Sequence, residues 1–307
     1  MVDLKSRARG ALIGLAVGDA VGTTLEFRPR DTYEPLTDMA GGGPFDLPAG
    51  TWTDDTAMAL ALAESLVEQK ALDPDDLMRR FVSWWREGTY SPTGACFDIG
   101  IATRLALSRF EETGDALAGS SDPRSAGNGS LMRLAPIAIR GAAIDRETMR
   151  AEARLQSQTT HAAEACVDAC EGWAVMLREV LRGASFEEGL AAAAQLDFKD
   201  PIGPVFAGVW RTKGRSQIES SGYVAHSLEA ALWCNAQSED FREIILLAAN
   251  LGNDADTTAA IAGQLAGARL GLEKIPDAWL AKLAWRERLQ VAADKLILGE
   301  MPLGIVA

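Results

Sequence analysis

Gly252-Asn253-Asp254-Ala255-Asp256-Thr257-Thr258-Ala259-Ala260-Ile261-Ala262-Gly263-Gln264-Leu265-Ala266-Gly267-Ala268 reads as a turn that runs into a helix of small residues. Side chains this small allow the helix to pack deep inside a bundle, which buries the carboxylates at its start. Buried carboxylates need a partner charge or a metal. A second stretch echoes it: Asp54-Asp55-Thr56-Ala57-Met58-Ala59-Leu60-Ala61 again puts acids and threonine at the head of an alanine-rich helix. An old duplication and similar capping chemistry both account for the echo.

Outward from these two stretches, alanine- and leucine-rich segments with helical period recur along the whole chain, and no convincing alternating strand interrupts them. Helices are predicted over about residues 5–20, 54–70, 74–87, 98–110, 129–140, 146–156, 161–183, 186–195, 224–236, 240–250, 255–271 and 277–298. The breaks carry turn chemistry, as in Gly41-Gly42-Gly43-Pro44, Ser91-Pro92-Thr93-Gly94 and the segment from Pro201 to Pro204. None is long and low in complexity, so no flexible interdomain linker is expected. The prediction is an all-α protein, a single compact helical bundle spanning residues 1–307. Two longer irregular stretches, 27–53 and 198–223, contain glycine and aromatic residues and are expected to serve function.

The composition is that of a globular chain: 307 residues, 48% hydrophobic, 24% charged, with ample apolar material for one large core. A formal net charge of −13 opposes binding to a nucleic-acid backbone or an anionic membrane surface. An anionic ligand must therefore be held locally, by cations, backbone N–H groups or a few arginines. None of the four cysteines (Cys96, Cys166, Cys170 and Cys234) sits in a Cys-x-x-Cys pair, and with only two histidines beside them a zinc site is not expected. Cys166 and Cys170 share a helix face and read as small buried residues. Ala11 to Val17 is too short for a membrane span and no cleavage pattern follows it, so a soluble cytoplasmic protein is expected.

In Thr51-Trp52-Thr53-Asp54-Asp55-Thr56, one aspartate explains a helix cap at the positive end of the dipole. Two adjacent carboxylates flanked by hydroxyls exceed what capping requires. Asp254-x-Asp256-Thr257 has the same excess, with spacing suited to hard-cation sites. Facing each other, the clusters would offer four aspartates and two threonines, an oxygen-only set suited to magnesium or manganese in a pair roughly 3.5–4 Å apart.

The chain resembles the ADP-ribosylglycohydrolase family, of the type that activates dinitrogenase reductase. Gly10-Ala11-Leu12-Ile13-Gly14 and Gly18-Asp19-Ala20-Val21-Gly22 lead to Glu26-Phe27, Trp52-Thr53-Asp54-Asp55-Thr56 and Asp98-Ile99-Gly100. Gly127-Asn128-Gly129-Ser130-Leu131-Met132-Arg133, Thr160-His161-Ala162, Ser221-Gly222-Tyr223-Val224, Leu228 to Trp233 and Asp254-Ala255-Asp256-Thr257 follow in order. The resemblance implies an all-α orthogonal bundle with two Mg²⁺ or Mn²⁺ ions. Their ligands would be Thr53, Asp54, Asp55, Asp254, Asp256 and Thr257, and the ions would hold the distal ribose of an ADP-ribose adduct.

By the same resemblance Glu26 approaches or gates the metal site, and Asp98 assists proton transfer; as plain residues, Glu26 reads as a solvated acid and Asp98 as the cap of the 98–110 helix. Gly127, Asn128, Gly129 and Ser130 would hold the diphosphate through N–H groups at a helix start. His161, also read at a helix start, would contact the ribose or leaving group, and Gly222 and Tyr223 would lie beside the adenosine. Trp52, Trp84, Trp85 and Trp233 are read as packing residues. The expected reaction is hydrolysis that removes ADP-ribose from a modified protein, with arginine favoured by Asp98-Ile99-Gly100, and the protein is expected to be a monomer. Serine adducts, O-acetyl-ADP-ribose, a binuclear phosphohydrolase and a non-catalytic relative that blocks a transferase or serves a structural role are the alternatives. Departures from the family pattern, Asn253 and Ala255 in the last motif and His226, leave the proposed ligands untouched and bear on substrate choice instead.

Overall fold

The computed structural model describes residues 2–298. Fourteen α-helices follow one another: α1 (Leu4–Gly22), α2 (Asp54–Gln69), α3 (Pro74–Glu87), α4 (Ile101–Thr113), α5 (Ala135–Gly141), α6 (Arg146–Gln158), α7 (Glu164–Leu181), α8 (Phe186–Ala194), α9 (Ile202–Phe206), α10 (Val224–Gln237), α11 (Phe241–Ala249), α12 (Ala255–Leu270), α13 (Asp277–Lys282) and α14 (Arg286–Leu298). The described residues contain isolated β-bridges but no strand, so the all-α expectation holds.

The centre is an antiparallel pair, α1 against α12, and glycine is what lets them meet. Gly10, Gly14, Gly18 and Gly22 recur every fourth residue on one stripe of α1, opposite Gly267, Gly263, Ala259 and Ala255. A Cβ on Gly14 would lie 2.3 Å from the carbonyl oxygen of Gly263, and one on Gly263 would lie 2.0 Å from that of Gly14. The two backbones therefore touch directly, closer than side-chain ridges in grooves permit. Both helices are buried on all sides over most of their length, from Gly10 to Gly22 in α1 and from Ala255 to Ala268 in α12. This pairing puts the C-terminal end of α1, with Asp19, beside the N-terminal end of α12, with Asp256.

Several helix starts differ from the sequence expectation. The fourth helix begins at Ile101 rather than 98, because Asp98 takes a left-handed φ of 58° and Gly100 is the cap. The helix expected from 129 begins at Ala135, after a loose turn, and the one expected from 161 begins at Glu164. Thus neither the Gly127–Ser130 turn nor His161 opens a regular helix. The predicted 277–298 helix is split into α13 and α14 around Trp285, whose φ is 53°. Tertiary bonds hold the break open: the Ala284 N–H donates to Gly50 O at 2.9 Å, and Trp52 Nε1 donates to Ala284 O at 3.0 Å. The end of the 27–53 loop is thereby stapled between α13 and α14, which fixes where Thr53, Asp54 and Asp55 enter α2. The 198–223 stretch is less irregular than expected, since α9 and two 3₁₀ turns lie within it.

Trp52 and Trp84 are buried in the core and Trp233 nearly so, while Trp85 packs against it half-buried. Cys166 and Cys170 are buried and unpaired as disulfides.

Candidate functional site

Four chain segments converge at the α1–α12 end of the bundle. Asp54 and Asp55 occupy the first turn of α2, and Asp254 caps α12 with Asp256 and Thr257 in its first turn. Glu26 follows the 3₁₀ turn after α1, held in place because Phe27 N–H donates to Asn253 O and Asn253 N–H donates to Arg28 O, both at 2.7 Å. Asp98 comes from the turn before α4.

Glu26 Oε2 accepts from the Ala255 N–H at 2.8 Å, so this acid satisfies a free donor at the N-terminus of α12 and is buried rather than solvated. Asp254 Oδ2 accepts from Asn128 Nδ2 at 2.7 Å, and the same amide reaches Ser227 Oγ at 2.8 Å. The Thr53 hydroxyl lies 3.3 Å from Asp55 Oδ2, and that of Thr257 lies 3.4 Å from the same oxygen. Asp19, a residue to which sequence reasoning gave no role, accepts from the Thr53 N–H at 2.9 Å, the Thr56 N–H at 3.0 Å and the Thr56 hydroxyl at 2.6 Å. It caps α2 from another helix. The signal for it was the glycine stripe of α1, which marks this helix end as buried against the acidic turn.

Carboxylate oxygens of Asp19, Asp55 and Asp256 lie within 4.8 Å of one another, as do those of Glu26, Asp254 and Asp256. Asp256 belongs to both groups. None of the seven acids, Asp98 included, takes part in an ion pair among the described residues. Asp55 Oδ1 is buried without any hydrogen-bond partner. A buried ionised oxygen left bare is costly, and an all-oxygen donor set with one bare carboxylate oxygen fits a hard divalent cation.

Burial and mutual repulsion raise the affinity of these groups for protons. Burial, with Asp254 nearby, pushes the Glu26 carboxyl up to about 8. Burial likewise lifts Asp98 to about 7 and Asp19 to about 6, while Asp54, Asp55 and Asp256 rise well above the usual carboxylate range. Carboxyls whose folded pKa exceeds the unfolded one bind more protons when folded, so their contribution to stability is lost as pH rises through the folded pKa. In EDTA, Tm is therefore expected to fall from pH 5 to pH 8, and divalent cations should recover most of the loss at pH 8. A Tm independent of both pH and cation in a thermal melt would contradict this.

Above the acids opens a cavity of about 740 Å³ with Glu26, Asp54, Asp98, Asn128, His161 and Asp254 among its walls. Thr53 and Asp55 lie beneath its floor, outside the lining. Gly127, Gly129 and Gly222 also line it, whereas the Ser130 hydroxyl points back into the core toward Ser157. The N–H groups of Gly129 and Ser130 have no protein acceptor among the described residues. A second cavity of about 570 Å³ adjoins the first across Ile101, Ala102, Gly127 and Gly222, and Tyr223 lines it.

His161 is buried, and its Nδ1 pairs with the Thr160 hydroxyl at 2.8 Å. Burial, with the Arg133 guanidinium nearby, lowers its pKa to about 3, so it is a neutral imidazole at physiological pH. Its ring lies against Gly129, where a Cβ would sit 2.7 Å from His161 Cε1. Gly129→Ala is expected to displace the ring or the turn and to lower kcat/KM by about tenfold or more, since an overpacked site costs roughly 1–3 kcal/mol. Steady-state kinetics unchanged from wild type would show that the ring has room to move.

The ADP-ribosylglycohydrolase family profile matches residues 1–303. The chain is 49% identical over 293 residues to ADP-ribosylarginine hydrolase Tri1 of Pseudomonas putida (strain GB-1), covering 94% of this chain and 77% of that protein. It is 33% identical over 286 residues to ADP-ribosyl-[dinitrogen reductase] glycohydrolase of Rhodospirillum rubrum, covering 90% of each. A solved structure described as an ADP-ribosylglycohydrolase-related protein complex superposes with a TM-score of 0.87 at 42% identity, over 97% of this chain and 99% of that one. Fold, motif order and similarity agree: the chain belongs to the ADP-ribosylglycohydrolase family and is a hydrolase.

Proposed function

We propose that the protein hydrolyses the N-glycosidic bond between ADP-ribose and an arginine side chain of a modified protein, and that it does so with divalent cations bound. The observation that carries this reading is the pair of carboxylate groups meeting at Asp256, which lines a cavity of ligand size, with one Asp55 oxygen left bare beneath it. Residues 2–298 act as one domain in this reading, because the site draws on segments from Glu26 to Thr257; the rest of the expected 1–307 span lies outside the described residues.

Thr53, Asp54, Asp55, Asp254, Asp256 and Thr257 would hold two Mg²⁺ or Mn²⁺ ions, and Asp19 would orient the Thr53–Thr56 turn behind them. Bound there, the cations supply Lewis acidity and anchorage for ribose hydroxyls. The turn of Gly127, Asn128 and Gly129, which lines the cavity and has a free Gly129 N–H, takes the diphosphate with Ser130 buried behind it, and the second cavity, beside Tyr223, takes the adenosine. Asn128 ties that turn to Asp254, so the diphosphate and the ribose are held in one frame. Cleavage at the anomeric carbon passes through a transition state with oxocarbenium character. Glu26 and Asp98, with pKa values near 8 and 7, are poised to give or take a proton at neutral pH. His161 stays neutral and serves as a hydrogen-bonding wall of the ribose subsite.

Arginine is favoured as leaving group by the relatives named for it and by Asp98 at the cavity wall, where a carboxylate suits a guanidinium. Peptides carrying ADP-ribose on arginine or serine, together with O-acetyl-ADP-ribose, test the choice. Faster release from the arginine peptide is expected, and preference for either other substrate would overturn it. AMP as product would identify a phosphohydrolase instead.

A further inference from the structure

The turn at residues 127–132 is held from behind by side chains that never reach the cavity. Asn128 O accepts from the N–H groups of Leu131 and Met132, at 2.8 and 3.0 Å, but the turn does not propagate into a helix. Leu131 O accepts from the Leu134 N–H at 3.2 Å, and the sequence explains why Met132 O goes short. In a continuous helix Met132 O would be served by residue 136, and residue 136 is proline, which has no N–H. Gln264 serves it instead: its Nε2 donates to Met132 O at 2.6 Å and to Leu131 O at 3.2 Å. The amide cannot be the other way round, because Trp173 Nε1, a donor only, points at Gln264 Oε1 at 3.1 Å. Gln156 repeats the device one carbonyl earlier, its Nε2 donating to Ser130 O at 3.1 Å while Arg133 Nε donates to its Oε1 at 3.0 Å. Gln264, Gln156 and Trp173 are all fully buried.

Gln264 stands on α12, the helix that begins just after Asp254 and carries Asp256 and Thr257 in its first turn. At about 1.5 Å per residue, Asp256 and Gln264 are roughly 12 Å apart along a rigid rod. We infer that Gln264 is a positioning residue for the hydrolase: through α12 it sets the 127–132 turn at a fixed distance from the carboxylate cluster. Diphosphate and distal ribose are thereby held in register with the carboxylate cluster. The inference rests on the reading of this turn as the diphosphate subsite.

Two variants of the full chain test it, Gln264→Met, which keeps length and removes the amide, and Trp173→Phe, which removes the N–H that orients the amide and keeps an aromatic ring, at the cost of a small cavity. ADP, which lacks the distal ribose, probes the turn by calorimetry in EDTA, and Mn²⁺ alone probes the cluster. Losing the donor to a buried carbonyl should weaken ADP binding by about tenfold in Gln264→Met and by a smaller factor in Trp173→Phe. KM for an ADP-ribosylated peptide should rise in parallel, with kcat little changed and Mn²⁺ affinity that of wild type, because the turn binds ground and transition states alike. If Gln264→Met does not fold, Trp173→Phe carries the test. ADP affinity equal to wild type in the folded variants would overturn the inference while leaving the diphosphate reading intact. Mn²⁺ affinity falling in step with ADP affinity would reduce Gln264 to a general packing role and overturn it too. A wild-type protein that binds no ADP would remove the diphosphate reading, and the inference with it.

Discussion

Asp55→Ala is expected to lower turnover at least about a hundredfold, since even residues behind a metal ligand typically cost 10–100-fold. It should also remove the rise in Tm that magnesium or manganese gives the wild type. Asp55 is fully buried, one of its oxygens has no protein partner, and the other lies near the hydroxyls of Thr53 and Thr257. A structural aspartate would be bonded on both oxygens, as Asp19 is. The isosteric Asp55→Asn separates charge from volume: in EDTA at pH 8 it should melt above the wild type, because one repelling carboxylate has gone. With saturating cation it should melt below. Loss of stability under both conditions would assign Asp55 a packing role.

Gly14→Val is expected to lose more than about 3 kcal/mol of stability, at the upper end for overpacking, because the added atoms meet backbone rather than a side chain that can turn aside. The nearest atom to a Cβ there is the Gly263 carbonyl oxygen, at 2.3 Å, and the ring of Phe241 closes a third side at 3.3 Å. At about 2–4 °C per kcal/mol for a chain of this size, Tm should drop by about 10 °C, or the protein should fail to accumulate in soluble form. Gly214→Ala is the control, since its Cβ would meet only the Gln217 amide oxygen at 3.8 Å. Its Tm should stay close to that of wild type. Equal melting of Gly14→Val and Gly214→Ala would mean that α1 and α12 are not in backbone contact.

Much of this was legible from particular residues. The alanine-rich run after Asp254 announces a buried helix, and α12 ends within a residue of the predicted boundary. The doubled acids at Asp54-Asp55 and Asp254-x-Asp256 point to one cluster; carboxylate oxygens of Asp55 and of Asp254 each lie within 4.8 Å of Asp256, whereas Asp54 belongs to neither group and lines the cavity instead. Asp19 stands among apolar residues and glycine, and its task, capping α2 across 34 residues, is a tertiary bond; the glycine stripe of α1 marks this helix end as buried but not what the aspartate does there. The starts of α4, α5 and α7 were placed early for the same kind of reason. Asp98 looks like a cap, Gly129 like a helix opening and His161 like a first turn, yet Asp98 takes a left-handed φ, the Asn128 N–H beside Gly129 donates to Gly222 O, and the Ala162 N–H after His161 donates to Ser120 O. The break between α13 and α14 follows from Gly50 and Trp52, more than 200 residues away, and a continuous helical pattern gives no warning of it.

The most direct test follows release of free ADP-ribose from an ADP-ribosyl-arginine peptide by the purified full chain, with magnesium, with manganese and with EDTA, Asp55→Ala in parallel. Release that depends on cation and is lost in the variant is the expected result. Release that continues undiminished in EDTA and in Asp55→Ala would contradict a cation-dependent hydrolase built on this carboxylate cluster.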